Sequence, residues 1–76
     1  MLTTAEILNL IRLTELEIRR LQEQIDGDDE SKSNEAGEVI LQFDAMALKL
    51  EQMYLESQPD YDIYPQYDDY IKLING

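Results

Sequence analysis

The chain has 76 residues, with 17 acidic and 6 basic side chains for a formal charge of −11 and no cysteine or histidine. So short a chain buries a modest core with no disulfide to reinforce it, so self-association or docking on a larger partner is expected. The charge argues against direct contact with phosphate backbones and for attraction to basic protein surfaces, although solubility is an alternative use of the same acidity.

Thr3-Thr4-Ala5-Glu6 has the form of a capping box, with Thr3 at the cap and Glu6 three residues on. Apolar residues then recur at Ile7, Ile11, Ile18, Leu21 and Ile25, with Thr14 filling the one missing step. This is a heptad seam of about three repeats and predicts a helix over about 4–26. Arg19 stands four residues from both Glu15 and Glu23, so ion pairs are expected on the outer face. Asp26-Gly27 reads as the stop, with Gly27 supplying a left-handed cap.

Residues 27–34 form an acidic connector in this reading, and Ser33 or Asn34 caps a second helix over about 35–57. Its seam is Ala36, Val39, Phe43, Met46, Leu50 and Met53, widened on one side by Ile40, Ala47 and Tyr54. Pro59 ends it, because the residue before a proline avoids the α region. Two seams of matched length joined by a short connector predict an antiparallel, coiled-coil-like hairpin. The shared register sets Ile25 near Ala36, Ile18 near Phe43, Thr14 near Met46 or Ala47, Ile11 near Leu50, and Ile7 near Met53 or Tyr54.

The remainder, residues 59–76, is an acidic tyrosine-rich tail. Tyr61, Tyr64, Tyr67 and Tyr70 repeat every three residues, with Asp60, Asp62, Asp68 and Asp69 among them. Pro59 and Pro65 favour an extended or turn-like path, and three residues per turn is the polyproline period. A short helix over about 68–74, capped by Asp68, is expected to follow. Two uses of the rings stay open: packing back on the hairpin, or forming a docking strip with the aspartates.

The fold class is therefore all-α: a two-helix hairpin at 1–58 with a tail that adds a short helix. Leucines lie off both seams, at Leu8, Leu10, Leu13 and Leu16 on the first helix and at Leu41, Leu48 and Leu55 on the second, with Leu10, Leu13, Leu41, Leu48 and Leu55 the expected self-association residues. Such stripes predict self-association, as a dimer completing a helical bundle.

Catalytic equipment is sparse. Without His or Cys the commonest general base, thiolate nucleophile and transition-metal ligands are gone. Gly27, Gly37 and Gly76 are too scattered for a phosphate loop. Asp26-Gly27-Asp28-Asp29-Glu30 begins like a calcium loop, but Ser31 stands where that loop needs glycine and Gly37 where it needs glutamate. No enzyme activity, cofactor or metal is expected. Neither an apolar run of spanning length nor a signal-peptide start is present, so the expectation is a cytoplasmic protein (host cytoplasm if phage-encoded) without membrane contact.

Two resemblances carry functional implications. The layout with Ile40-Leu41 and Tyr54 bounding the second seam looks like the small two-helix phosphatases that act on sporulation regulators. Their Ser-Gln-Glu-Leu-Asp motif is here Asp44-Ala45-Met46-Ala47-Leu48, so the functional aspartate is missing and the activity does not carry over. Thr4-Ala5-Glu6-Ile7-Leu8 and Asp62-Ile63-Tyr64-Pro65 resemble short pieces of colicin-type immunity proteins, which are acidic helical nuclease inhibitors. They cover under a quarter of the chain, with altered spacing between them.

The expected function is a non-enzymatic inhibitor or regulator that binds a basic, nucleic-acid-binding protein, as DNA mimics and phage anti-defence proteins do. The alternative is a homo-oligomeric coiled-coil structural or adaptor protein. The expected partner-binding residues are Asp60, Tyr61, Asp62, Tyr64, Tyr67, Asp68, Asp69 and Tyr70, with Asp28, Asp29 and Glu30 as a second patch.

Overall fold

The computed structural model describes all residues, 1–76, as three helices: α1 (Thr4–Ile25), α2 (Glu30–Glu56) and α3 (Tyr67–Asn75). There is no strand, and α1 and α2 pack along each other as the hairpin. The chain measures 45 × 26 × 14 Å across its Cα atoms, the dimensions of a slab.

The start of α1 is the predicted capping box. Glu6 N–H donates to Thr3 Oγ1 at 3.1 Å, and Thr3 N–H donates to Glu6 Oε1 at 2.9 Å. These two bonds satisfy orphan donors of the first turn. The Thr3 N–H, and then its hydroxyl, hold the Glu6 carboxyl below its ordinary pKa.

The far end of α1 departs from expectation. Asp26 is the C-cap in a right-handed conformation, and no glycine has positive φ. Gly27 serves by lacking a Cβ, since one would sit 3.3 Å from the Gln24 carbonyl oxygen. The helix closes on N–H bonds from Asp26 to Gln22 and from Gly27 to Gln24.

The connector is also shorter than the predicted 27–34. Asp29 is the N-cap of α2, accepting from the Lys32 N–H at 3.2 Å, so helix begins at Glu30 rather than near residue 35. An aspartate has its short carboxylate in reach of the first-turn donors, whatever the polarity of the residues that follow. Ser33, expected as a cap, lies inside the helix and donates to the Ile25 carbonyl at 2.9 Å, tying the two helix ends together.

Two core clusters lie along the hairpin. At the open end, where the start of α1 meets the end of α2, Ile7, Leu8, Ile11, Leu50 and Tyr54 are buried together. At the connector end the cluster is Leu21, Ala36 and Ile40, bordered by Ile18, Ile25, Val39 and Phe43. The predicted register is consistent with both groupings. The predicted seam of α2 holds at Ala36 and Leu50, which are buried, and at Val39 and Phe43, which border the core, but fails at two positions. Ile40 and Tyr54 are buried, whereas Met46 and Met53 are exposed. Tyr54 is enclosed because the tail packs over that side, whereas Ile40 is buried with Leu21 and Ala36 between the two long helices.

At the end of α2, Thr4 Oγ1 donates to Ser57 Oγ at 3.2 Å, and Ser57 Oγ donates to the Tyr54 carbonyl at 2.6 Å. Gln58 then adopts φ +52°, the left-handed conformation a glycine usually supplies, and Pro59 follows.

Candidate interaction surface

The surface most marked by the sequence is the tail, and its path is not polyproline-like. Asp60 folds the chain into a single turn. Its carbonyl accepts from Ile63 N–H at 2.9 Å and Tyr64 N–H at 2.8 Å, while its carboxylate accepts from Asp62 N–H at 3.0 Å. Such a side-chain-to-backbone turn is what a short carboxylate after a proline favours over an extended strand.

Helix α3 then runs beside α1 until Arg19 meets its last turn. Arg19 Nη2 donates to the Ile74 carbonyl at 2.8 Å and to Asn75 Oδ1 at 2.9 Å. This places a cation on orphan carbonyls at the negative end of the helix dipole. Arg19 is thus committed to α3 rather than to Glu15 or Glu23; the ion pair in the structure joins Arg20 to Glu17 and holds the Glu17 carboxyl below its ordinary pKa. The expected Asp68 cap is also corrected. Gln66 is the N-cap without a side-chain bond, and Asp68 and Asp69 occupy the first turn, where their charge favours the dipole.

The tail divides by residue type. Tyr64, Tyr67 and Tyr70 face inward with Ile71 and Ile74, packed on the open-end core. Tyr54 beneath them is fully buried and donates its hydroxyl to the Pro65 carbonyl. Burial first, and then its tyrosine neighbours, push the Tyr54 hydroxyl above its ordinary pKa. Tyr67 is raised too, mainly by burial and then by the charges of Glu51, Glu15 and Asp68. Tyr67 therefore marks where the tail crosses the hairpin, between Glu15 of α1 and Glu51 of α2.

Asp60, Asp62, Asp68, Asp69 and Tyr61 point to solvent. The predicted set is thereby sorted into four exposed carboxylates with one exposed ring, and three rings that seat the tail. The connector acids Asp28, Asp29 and Glu30 are exposed at the tip of the hairpin, with Asp29 also engaged as the cap. They form a separate patch, since the tail roofs the other core cluster. No group of three acidic side chains is arranged to hold a metal ion.

Across the molecule none of the 17 acidic residues is buried, and Glu17 alone is in an ion pair. Of the off-seam leucines, Leu10, Leu13, Leu16, Leu41, Leu48 and Leu55 are exposed, whereas Leu8 is buried in the open-end core, where the tail covers its side of α1. They do not make one surface. Leu41, Leu48 and Leu55 border Asp44 and Glu51 on the side of α2 that α3 approaches, whereas Leu10 and Leu13 lie on the opposite side of α1. Sequence reasoning missed Met46 and Met53 as surface residues because both fit the three-four spacing of a seam. No helix is long and apolar enough to cross a membrane. No family model matches the chain, and no curated protein or solved structure matches it.

Proposed function

We propose that the chain is a non-enzymatic binding protein whose tail presents carboxylates to a basic, nucleic-acid-binding protein, in the manner of an inhibitor or regulator. The supporting observation is that Asp60, Asp62, Asp68 and Asp69 are exposed on a tail whose tyrosines Tyr64, Tyr67 and Tyr70 are packed on the core. Carboxylates fixed on a folded frame meet a cationic surface with less ordering cost than those on a loose tail. They also steer encounter with it through an unneutralised field, because the chain's one ion pair lies elsewhere.

The test immobilises the full chain and recovers partners from a soluble extract at about 0.1 M and about 0.5 M salt. The expected partners are basic nucleic-acid-binding proteins, lost at the higher salt and displaced by a short duplex. A variant with all four tail aspartates changed to asparagine binds them at least about tenfold more weakly while keeping its helical signal. Recovery of only neutral or acidic proteins, indifferent to salt, overturns the reading.

A further inference from the structure

The hairpin has two broad faces, and the tail roofs only one. Leu10 and Leu13 of α1 are exposed on the other, at 37% and 63%, and so are Met46 and Met53 of α2, at 45% and 38%. Val39, Met46 and Met53 stand seven residues apart, about two helical turns each, and so form one row. Shallow grooves mark both ends of this face. Leu2, Ile7, Met53 and Glu56 line one at the open end, and Glu17, Arg20, Lys32 and Glu35 line one near the tip. Leu10, Leu13 and Met46 fill the stretch between.

This face is also nearly neutral. Glu6, Glu17, Glu35, Glu38 and Glu56 stand on or beside it against Arg20, Lys32 and Lys49. Five acids against three cations leave −2 of the chain's −11, and half of the chain's six basic residues are here.

We propose that this face seats a second copy of the same chain, paired about a two-fold axis to complete a four-helix bundle. Three observations favour that occupant. Both helices contribute apolar side chains, as a bundle requires of its inner face. The area is adequate: two helices of α1's length offer roughly 33 Å by roughly 20 Å, comparable with the ~800 Å² each partner gives to a standard interface. Charge is the third. Face-to-face pairing turns the acidic tail outward on both copies. With the helices antiparallel it sets the end where Arg20 and Lys32 offset Glu17 and Glu35 over the end bearing Glu6 and Glu56, so that the unpaired acids do not meet their equivalents. Pairing through Leu41, Leu48 and Leu55 instead brings Asp44 and Glu51 of each copy toward their equivalents, which costs free energy. A strongly basic partner gains little here, because three cations already stand among the five acids.

The proposal is independent of the tail's role, and salt separates the two. Binding of a basic partner weakens as salt rises. Self-pairing tightens, because screening relieves repulsion between two chains that are each strongly negative. Sedimentation velocity on the full chain, over a range of concentration and salt, measures this directly. The expected result is a species of twice 8.9 kDa that strengthens with salt. Leu13→Glu or Met46→Glu weakens it at least about tenfold, and Leu48→Glu leaves it unchanged. All three positions are exposed in the single chain, so each variant is expected to keep its helical circular dichroism. An 8.9 kDa monomer under every condition overturns the proposal. So does a dimer that survives Leu13→Glu and Met46→Glu but is lost with Leu48→Glu.

Discussion

The two ends of the hairpin are built from similar seams but hold together differently. At the open end five buried residues sit under a roof of three tyrosines and two isoleucines, and Tyr54 is wholly enclosed. At the connector end three buried residues have half-buried neighbours and no third helix over them. A pair of helices encloses a side chain only along their shared line of contact, so a third element is what turns a seam into a core. The connector end should therefore open at lower free energy than the open end.

The largest expected effect is at the enclosed end. Tyr54→Ala removes a fully buried ring and the hydroxyl bond to Pro65. About 3–5 kcal/mol should be lost, enough to unfold much of a chain of this size. Urea titration followed by circular dichroism measures it. A loss below about 1 kcal/mol would mean that the tail does not close over this end in solution.

Ile40→Ala probes the other cluster, and about 2–3 kcal/mol is expected. Its signature is local. Amide exchange should accelerate between Ile18 and Phe43 while the amides around Tyr54 stay protected. Equal acceleration at both ends would show that the hairpin is one cooperative unit and that the contrast between the ends is false.

Tyr54→Phe keeps the ring and deletes one hydrogen bond, leaving the Pro65 carbonyl short of a partner, at a cost of about 1 kcal/mol near neutral pH. The same change carries a pH signature. The Tyr54 hydroxyl is raised above the ordinary 10.0, first by burial. A folded-state pKa above the unfolded value gives stability that is whole below pH 10.0 and is lost as pH rises through the raised value. The parent chain should lose stability on the alkaline side of pH 10.0, and Tyr54→Phe should lose less, with Tyr67 responsible for a remainder of the same sign. Thermal melts on both sides of that pH decide it.

The smallest effect has the opposite sign. Gln58 is the one non-glycine residue with positive φ, at +52°. Gln58→Gly relieves that conformation, offset in part by the freedom glycine adds to the unfolded chain, for a net gain of about 0.5 kcal/mol. A higher melting temperature is the readout. A lower one would show that the Gln58 side chain contributes packing that outweighs its backbone cost.

Local chemistry made much of this fold legible in the residues alone. Thr3 and Glu6 specify the start of α1 because both halves of the capping box lie within one turn. The spacing of Ile7, Ile11, Ile18, Leu21 and Ile25 specifies a helix with one buried stripe, and the matching stripe after the connector specifies the antiparallel partner. The acidity of the surface follows from composition, since a carboxylate stays in water unless something neutralises it.

Tertiary structure decided what those patterns left degenerate. Val39–Met46–Met53 and Ile40–Ala47–Tyr54 both satisfy helical spacing. At Tyr54 the choice between them rests on where the tail packs, and that is set by residues ten or more positions away. Arg19 had carboxylates four residues to either side, yet it meets the end of α3, because the carbonyls there have no partner within their own helix. The tyrosine period of three looked the same whether the rings served as core or as docking strip. Only the closure of Tyr64, Tyr67 and Tyr70 over Tyr54 separated the rings from the aspartates between them, because burial depends on which surfaces meet, and spacing along the chain does not record that.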